Sequence, residues 1–299
     1  MSSRSRGAPA GYLAWLPFSF VPATTVSQRV VRLILLVAVA AVALQVLIRW
    51  LEPRMAFFPW RGVQETPAAS GLAFSDVRIS TDDGETIHGW WMEHPSPRAQ
   101  VIFFHGNGGN LSLWLDVLVA LRERGFSVLA VDYRGYGDST GRPSERGLYR
   151  DADATLRTFA ESLRKPEVLT VYWGRSIGAP VAAYAASTVR PDALVLESPF
   201  PDIATLFSDN LVMTATMFFS SYRFPTSRFL ARYDRPLLVV HGDRDSIIPF
   251  SAGRQVFDAA PSSQKTFVPI PGADHNDLHV ANPDAYWPAI DAFIASLSR

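Results

Sequence analysis

The first residue that could do chemistry is a serine held between two glycines. The motif G-R-S-I-G occupies 174–178, between an apolar segment at 168–173 and an alanine-rich segment that begins at Ile177. A G-x-S-x-G motif between a strand and a helix is typical of a strained turn that holds the serine hydroxyl at the edge of a sheet. The glycines let the backbone fold tightly there. The sequence therefore predicts Ser176 as a nucleophile, with a plain tight turn as the alternative.

A histidine should lie further along the chain, because a serine hydroxyl is a poor nucleophile without a base. The chain has six histidines, and His275 sits in the loop P-G-A-D-H-N at 271–276, after the last short apolar segment. A loop in that position can reach back over the serine. We therefore expect His275 to be the base, with His279 as the less favoured candidate.

The third group should be a carboxylate that fixes the tautomer of the imidazole ring. Asp243 and Asp245 both follow the apolar segment 237–240, in the sequence H-G-D-R-D-S-I-I-P. Asp243 lies beside a glycine and is expected to cap the turn by accepting hydrogen bonds from backbone N–H groups. Asp245 reaches further into the loop and is the expected acid. Glu197, after the apolar segment 193–196, is a less favoured alternative.

A glycine-rich loop follows the apolar segment 101–104 and reads H-G-N-G-G-N at 105–110. Its glycines allow a backbone N–H to point at a developing oxyanion. We expect the N–H groups of Asn107 and of Ile177, the residue after the serine, to form an oxyanion hole. A phosphate-binding loop is the alternative, but the G-x-G-x-x-G spacing and a Walker lysine are both missing.

Alternating strand-like and helix-like segments must position these loops. Residues 74–80 and 86–92 flank D-D-G and predict a hairpin. Short apolar runs predict buried strands, at 101–104, 127–131, 168–173, 193–196, 237–240 and 266–269. Segments of helical period separate them, at 111–123, 145–163, 177–188, 250–260 and 285–297. A hairpin followed by repeated β-α units predicts an α/β fold, a mostly parallel sheet with helices on both faces.

A separate apolar segment lies near the start of the chain. Residues 33–48 contain one polar residue and no charge, and extension to 30–51 reaches the roughly 30 Å hydrocarbon core of a bilayer. We therefore predict a tail at 1–29, one membrane-spanning helix at 30–51 and a linker at 52–71. A buried core helix and a signal peptide cleaved near 41–43 are the alternatives.

Arginines flank this segment on both sides: Arg4, Arg6, Arg29 and Arg32 before it, and Arg49, Arg54 and Arg61 after it. The positive-inside rule leans towards a cytoplasmic N-terminus. We therefore expect the protein to lie in a membrane with a single span and its catalytic domain on the non-cytoplasmic side.

The composition limits the classes of function. Lys+Arg and Asp+Glu are 28 each, so there is no basic surplus to neutralise phosphates and no nucleic-acid partner is expected. The chain has no cysteine, which excludes disulfides, thiolate catalysis and zinc–cysteine or iron–sulfur sites. No cluster of potential metal ligands stands out in the sequence. We expect neither a metal nor another cofactor, and the oligomeric state is left open.

Taken together, the motifs resemble those of the α/β-hydrolases, and specifically of small single-span α/β-hydrolase-domain proteins. Six blocks carry the resemblance: FFHGNGGN (103–110), VDYRGYGDSTGRPSE (131–145), GRSIGA (174–179), ESPF (197–200), HGDRDSIIP (241–249) and PGADHND (271–277). The resemblance covers about 72–299 and implies an α/β-hydrolase fold over that range. It also implies Ser176 as nucleophile, Asp245 as acid and His275 as base, with an oxyanion hole around Asn107 and Ile177. The order Ser, Asp, His along the chain is the α/β-hydrolase order.

The resemblance implies a serine hydrolase that cleaves an ester or thioester through an acyl-enzyme on Ser176. Similar proteins include esterases, thioesterases that remove palmitate from proteins, and serine aminopeptidases. The segment 201–232 is rich in apolar residues, among them Met217 and Phe218. It is expected to form a small cap that favours medium or long acyl chains, so the substrate is a small-molecule or lipid-borne acyl compound. An amide hydrolase of the aminopeptidase type and a catalytically inactive interaction module are the alternatives.

Overall fold

The computed structural model describes residues 25–206 and 220–297. The chain divides into two compact units, Met1–Leu47 and Ile48–Arg299. The predicted residues Met217 and Phe218 of the cap lie outside the described residues, as does most of the predicted N-terminal tail.

The apolar segment forms one long helix, α1 (Val26–Ala56), of 31 residues. At 1.5 Å per residue it is about 46 Å long, more than the hydrocarbon core requires. By length and composition it could cross a membrane, and none of its residues is buried. That exposure argues against the alternative of a core helix, because a core helix would hide its apolar side chains within the protein.

The rest of the chain is built on an eight-stranded sheet. Its strands are β2 (Ser75–Ser80), β3 (Thr86–Met92), β4 (Ala99–Phe104), β6 (Phe126–Val131), β7 (Thr170–Arg175), β8 (Ala193–Glu197), β9 (Leu237–Gly242) and β10 (Lys265–Ile270). A separate two-stranded sheet pairs β1 (Phe58–Pro59) with β5 (Gly108–Gly109).

The strand order of the large sheet is β10-β9-β8-β7-β4-β6-β3-β2. β3 pairs antiparallel with both β2 and β6, and every other neighbouring pair is parallel. The sheet is therefore mostly parallel, as predicted. The carboxyl ends of its parallel strands meet at one edge, where open α/β sheets bind their ligands.

The helices after α1 are α2 (Leu115–Glu123), α3 (Glu145–Thr158), α4 (Gly178–Thr188), α5 (Ile203–Leu206), α6 (Thr226–Leu230), α7 (Phe250–Ala259), α8 (Leu278–Ala281) and α9 (Pro283–Ser296). Short 3-10 turns span Pro67–Ser70 and Leu111–Trp114, and a π-helical turn, Phe159–Leu163, extends α3.

Helices cover both faces of the sheet, and each face has its own core. In β4, Ile102 and Phe104 belong to a core that includes residues of α3, α4 and α7. Val101 and Phe103, which alternate with them, belong to a second core that includes residues of α2 and α9. Successive side chains of a strand point to opposite faces, so an uninterrupted apolar strand can serve both cores.

Residues 52–71, predicted as a linker, pack as part of the unit Ile48–Arg299. Phe57 is buried and makes edge-to-face contacts with Tyr222 and Phe224. The next two residues form β1, and Arg61 donates hydrogen bonds to the carbonyl oxygens of Ser139 and Gly141. The sequence of this stretch shows no helical or strand periodicity, and contacts with residues distant along the chain hold it in place.

The predicted cap, 201–232, is described at its two ends. α5 lies in the first of them and α6 lies in the second. Two carboxylates hold the second end, which begins at residue 220. Glu52 accepts hydrogen bonds from the N–H and Oγ of Ser221, and Glu145 accepts one from the N–H of Phe224 at 2.8 Å.

Candidate active site

Ser176 lies in a strained turn between β7 and α4. Its φ of 55° is in the left-handed region, which few residues with a side chain adopt. A Cβ at Gly174 would collide with the carbonyl oxygen of Gly178, and one at Gly178 would collide with the carbonyl oxygen of Phe104. The two glycines of the motif are thus required because backbone passes where side chains would be.

A hydrogen-bonded series joins the three residues that the sequence singled out. The Oγ of Ser176 lies 3.0 Å from Nε2 of His275, and Nδ1 of His275 lies 2.8 Å from Oδ2 of Asp245. They follow β7, β10 and β9 respectively, at the carboxyl edge of the sheet. Because a carboxylate only accepts hydrogen bonds, Nδ1 of His275 carries the proton and Nε2 is left to accept from the serine hydroxyl.

Asp245 is held in its ionised form. Its side chain is fully buried, and Oδ1 accepts hydrogen bonds from the N–H groups of Ile247 at 3.0 Å and Ile248 at 2.7 Å. Burial acts to raise the pKa of this carboxyl, but hydrogen bonds from His241 and His275 outweigh it and hold the pKa well below its usual range. A negative charge next to His275 suits a histidine that must become positive during catalysis.

Two further aspartates connect the loops that carry Asp245 and His275. Asp243 accepts a hydrogen bond from the N–H of Gly272 at 2.7 Å. Asp274 accepts from the N–H of Ser246 and from that of His275, each at 2.7 Å. Both aspartates bind backbone groups, and together they fix the separation of the two loops.

The glycine-rich loop after β4 lies beside the serine. A Cβ at Gly106 would stand 3.6 Å from Cβ of Ser176. The side chain of Asn107 is held on both sides, donating to the carbonyl oxygen of Ala56 at 2.7 Å and accepting from the hydroxyl of Tyr136 at 3.0 Å. Ile177 is the N-cap residue of α4. Asn107 and Ile177, the predicted oxyanion-hole residues, therefore belong to backbone that flanks Ser176.

Arg175 is a site residue to which the sequence analysis gave no role. Its Nη2 donates to the carbonyl oxygen of His275 at 3.1 Å, and its Nε lies 3.7 Å from Oε2 of Glu197. Both side chains are buried, and the other oxygen of Glu197 accepts a hydrogen bond from Nε1 of Trp173 at 2.8 Å. Glu197, the alternative acid, thus pairs with Arg175. An arginine at the end of an otherwise apolar strand was the sequence signal for this pair.

A cavity of about 540 Å³ opens beside Ser176 and His275. Apolar side chains line part of it: Phe58, Leu113, Trp114 and Ile247. Its polar wall includes His279, the alternative base, whose Nε2 lies 2.9 Å from Oδ2 of Asp116. The hydrogen bond from His279 lowers the pKa of Asp116, against the opposing effect of burial. Across residues 25–206 and 220–297, no group of three or more acidic or histidine side chains is placed to hold a metal ion.

Comparison with known proteins places the chain among hydrolases. A family model described as serine aminopeptidase, S33 (Hydrolase_4), matches residues 95–235. The uncharacterized protein Rv2307c of Mycobacterium tuberculosis is 33% identical over 270 residues, 89% of this chain and 95% of that protein. The uncharacterized membrane protein YNL320W of Saccharomyces cerevisiae is 27% identical over 87% of this chain and 94% of its own length.

Two further similarities identify the family to which these proteins belong. The α/β-hydrolase domain-containing protein WAV2 of Arabidopsis thaliana is 28% identical over 74% of this chain and 79% of its own length. Among solved structures, the esterase Pf2001 of Pyrococcus furiosus superimposes with a TM-score of 0.68 at 20% identity, covering 81% of this chain and 98% of that one. At that identity the likeness concerns the fold, and the fold is the predicted one. The chain belongs to the α/β-hydrolase family.

Proposed function

We propose that this protein is a serine hydrolase that cleaves an ester or thioester through an acyl-enzyme on Ser176. The observation that carries the proposal is the hydrogen-bonded series from the Ser176 hydroxyl through His275 to the buried, ionised Asp245. A serine, a base and an orienting carboxylate in this geometry are the parts that nucleophilic catalysis at neutral pH requires.

In the proposed first half-reaction, Nε2 of His275 takes the hydroxyl proton while Oγ of Ser176 attacks the acyl carbonyl carbon. The N–H groups of Asn107 and Ile177 stabilise the oxyanion that forms on the carbonyl oxygen. His275 then gives its proton to the departing alcohol or thiol, and the acyl group stays on Oγ.

In the second half-reaction, water takes the place of the alcohol. His275 removes a proton from the water, the resulting hydroxide attacks the acyl-enzyme, and the carboxylic acid leaves as the proton returns to Ser176. Asp245 remains ionised throughout and stabilises the imidazolium in both halves.

The apolar part of the cavity wall supports an acyl substrate over a polar one. A second candidate is an aminopeptidase-type amide hydrolase, which the description of the matching family model favours. Asp116, in the same cavity wall, is the carboxylate that could hold the ammonium group of such a substrate. Esters of increasing chain length and aminoacyl amides, offered to the same preparation, separate the two candidates: the first requires a rate that rises with acyl length.

We also propose that α1 anchors the protein in a membrane as a single span, with the catalytic unit on the non-cytoplasmic side. An exposed apolar helix of 31 residues and the naming of a yeast relative as a membrane protein support association with a membrane. The arginine distribution is the basis for the orientation.

The decisive test of the nucleophile is Ser176→Ala. We expect this variant to lose labelling by a fluorophosphonate probe and to hydrolyse short esters slower by several orders of magnitude. Ser187→Ala is the matched control, because Ser187 lies exposed near the other end of α4. Persistent labelling of Ser176→Ala on another serine would contradict the assignment.

A further inference from the structure

Exposed apolar side chains gather at the mouth of the cavity beside Ser176. Phe58, Leu113 and Ile247 line the cavity and are 57%, 49% and 60% exposed. We call these three residues the apolar rim. They come from β1, from the 3-10 turn before α2 and from the loop after Asp245, so three separate parts of the chain bring apolar surface to one opening.

The rim stands out against the rest of the catalytic unit. Among the described residues from 57 onwards, six large apolar side chains are this exposed: Phe58, Trp60, Leu113, Val189, Ile247 and Val280. Trp60 lies two residues after Phe58, on the same side of an extended chain. Val280 follows His279, which lines the cavity. Val189 alone lies elsewhere, past the far end of α4. A concentration of exposed apolar surface marks an interaction site.

Few residues of chain connect the rim to the proposed span. The predicted span ends at Leu51, and α1 continues only to Ala56 before β1 begins. Five residues of helix and two of extended chain separate Leu51 from Phe58 by at most about 15 Å. Phe58 cannot lie far from the bilayer surface if Leu51 lies at it.

Strand pairing at Phe58 and a hydrogen bond at Ala56 join this part of the chain to the catalytic loop. Phe58 pairs with Gly108 in the two-stranded sheet, and the carbonyl oxygen of Ala56 accepts the hydrogen bond from Asn107. The loop beside Ser176 is therefore held by the residues that directly follow the span. If Phe58 lies near the bilayer, the mouth of the cavity that it lines lies near the bilayer too.

We propose that the apolar rim docks on the bilayer that holds α1, and that the cavity takes its acyl chain directly from that bilayer. The occupant of the rim is the lipid surface itself, and the substrate class is an acyl ester or thioester whose chain is embedded in the membrane. The choice of substrate rests on the proposed function, whereas the docking of the rim does not.

The absence of cysteine from the chain gives a test that does not depend on activity. Ile247→Cys and the matched control Val189→Cys each carry one thiol, which takes an environment-sensitive NBD label in the full-length protein. In phosphatidylcholine vesicles we expect the label at 247 to be quenched severalfold more strongly by doxyl-labelled lipid than the label at 189. Equal quenching at the two positions overturns the proposal. So does a label at 247 that is shielded from water but not quenched, which would mean that protein covers the rim.

A kinetic test addresses delivery of the substrate. Val280→Asp adds a charge at the exposed residue that follows His279; Val280 itself does not line the cavity. We expect it to slow hydrolysis of a long-chain thioester embedded in phosphatidylcholine vesicles about tenfold or more, and to leave hydrolysis of a soluble short ester unchanged. Val189→Asp, the control, should leave both rates unchanged. Equal vesicle rates for the two variants contradict docking, whereas an unaltered protein that hydrolyses no ester and takes no fluorophosphonate label contradicts the proposed function instead.

Discussion

Two aspartates in one loop, Asp243 and Asp245, have different partners. Asp245 accepts a hydrogen bond from Nδ1 of His275 at 2.8 Å, whereas Asp243 accepts one from the N–H of Gly272 at 2.7 Å. Asp245→Asn should lower kcat on the order of 10⁴-fold, the effect seen when other catalytic triads lose this group. Asp243→Asn should act on thermal stability, with kcat within a few-fold of normal. Steady-state kinetics on a short ester and a thermal melt of each variant distinguish the two roles. A loss of kcat in Asp243→Asn alone contradicts the assignment.

We expect Arg175 to act as a positioning residue for His275, because it donates a hydrogen bond to the carbonyl oxygen of His275. Removing it alone would leave Glu197 buried without its partner, at a cost of about 3–5 kcal/mol, so both charges are best removed together. Arg175→Met with Glu197→Gln keeps the acceptor for Trp173 and loses the hydrogen bond to the carbonyl oxygen of His275. We expect kcat to fall about 10- to 100-fold, because the base is displaced.

The control for this pair is Glu197→Gln alone, which keeps the contact between Arg175 and His275. It should retain most of kcat. A double variant that is folded, as judged by its melting temperature, and as active as the unaltered protein would show that Arg175 does not orient the base.

At the residue scale, sequence predicts best what local chain dictates. The strained turn at Ser176 could be predicted because the glycines around it are demanded by that turn. The position of His275 and Asp245 at the edge of the sheet could be predicted because both follow predicted strands of a parallel sheet. The contacts of Arg175 and Phe58 could not be predicted, since they are made with His275 and Gly108, residues that approach them only in the folded chain.

At the scale of elements, the long periodic segments were predicted well and the short ones were missed. The strand Thr86–Met92 and the start of the helix at Glu145 match the prediction. The predicted helix 111–123 begins instead as a 3-10 turn, Leu111–Trp114. β1 and β5 have two residues each, too few to show any alternation, and only their pairing with each other makes them strands.

Deleting β1 tests its role. Deletion of a linker would leave activity unchanged, whereas deletion of a strand that supports the catalytic loop would reduce it. We expect a chain that begins at Ile48 to hydrolyse a short soluble ester at the normal rate. A chain that begins at Gly71 should lose on the order of 10²-fold, because Asn107 no longer has the carbonyl oxygen of Ala56 to hold it. A folded Gly71 chain with full activity would mean that residues 52–70 are dispensable for catalysis.

At the scale of the whole molecule, the chain combines a hydrolase unit with a long apolar helix, none of whose residues is buried. Most of the large apolar side chains of the helix are exposed, which water would penalise and a bilayer would not. The same feature that argues against a core helix leaves a cleaved signal peptide as the remaining alternative to an anchor, because both are apolar and near the N-terminus.

Carbonate extraction of membranes separates the anchor from the signal peptide. An uncleaved α1 is long enough to span the hydrocarbon core, so the full-length protein should stay with the membrane pellet at alkaline pH. A chain that begins at Ile48 should be released, although its apolar rim still touches lipid, because three side chains at a surface bind far more weakly than a transmembrane helix. Release of the full-length protein with a new N-terminus near Leu44 would mean that α1 is cut after 41–43. The catalytic unit would then reach its substrate through the rim alone.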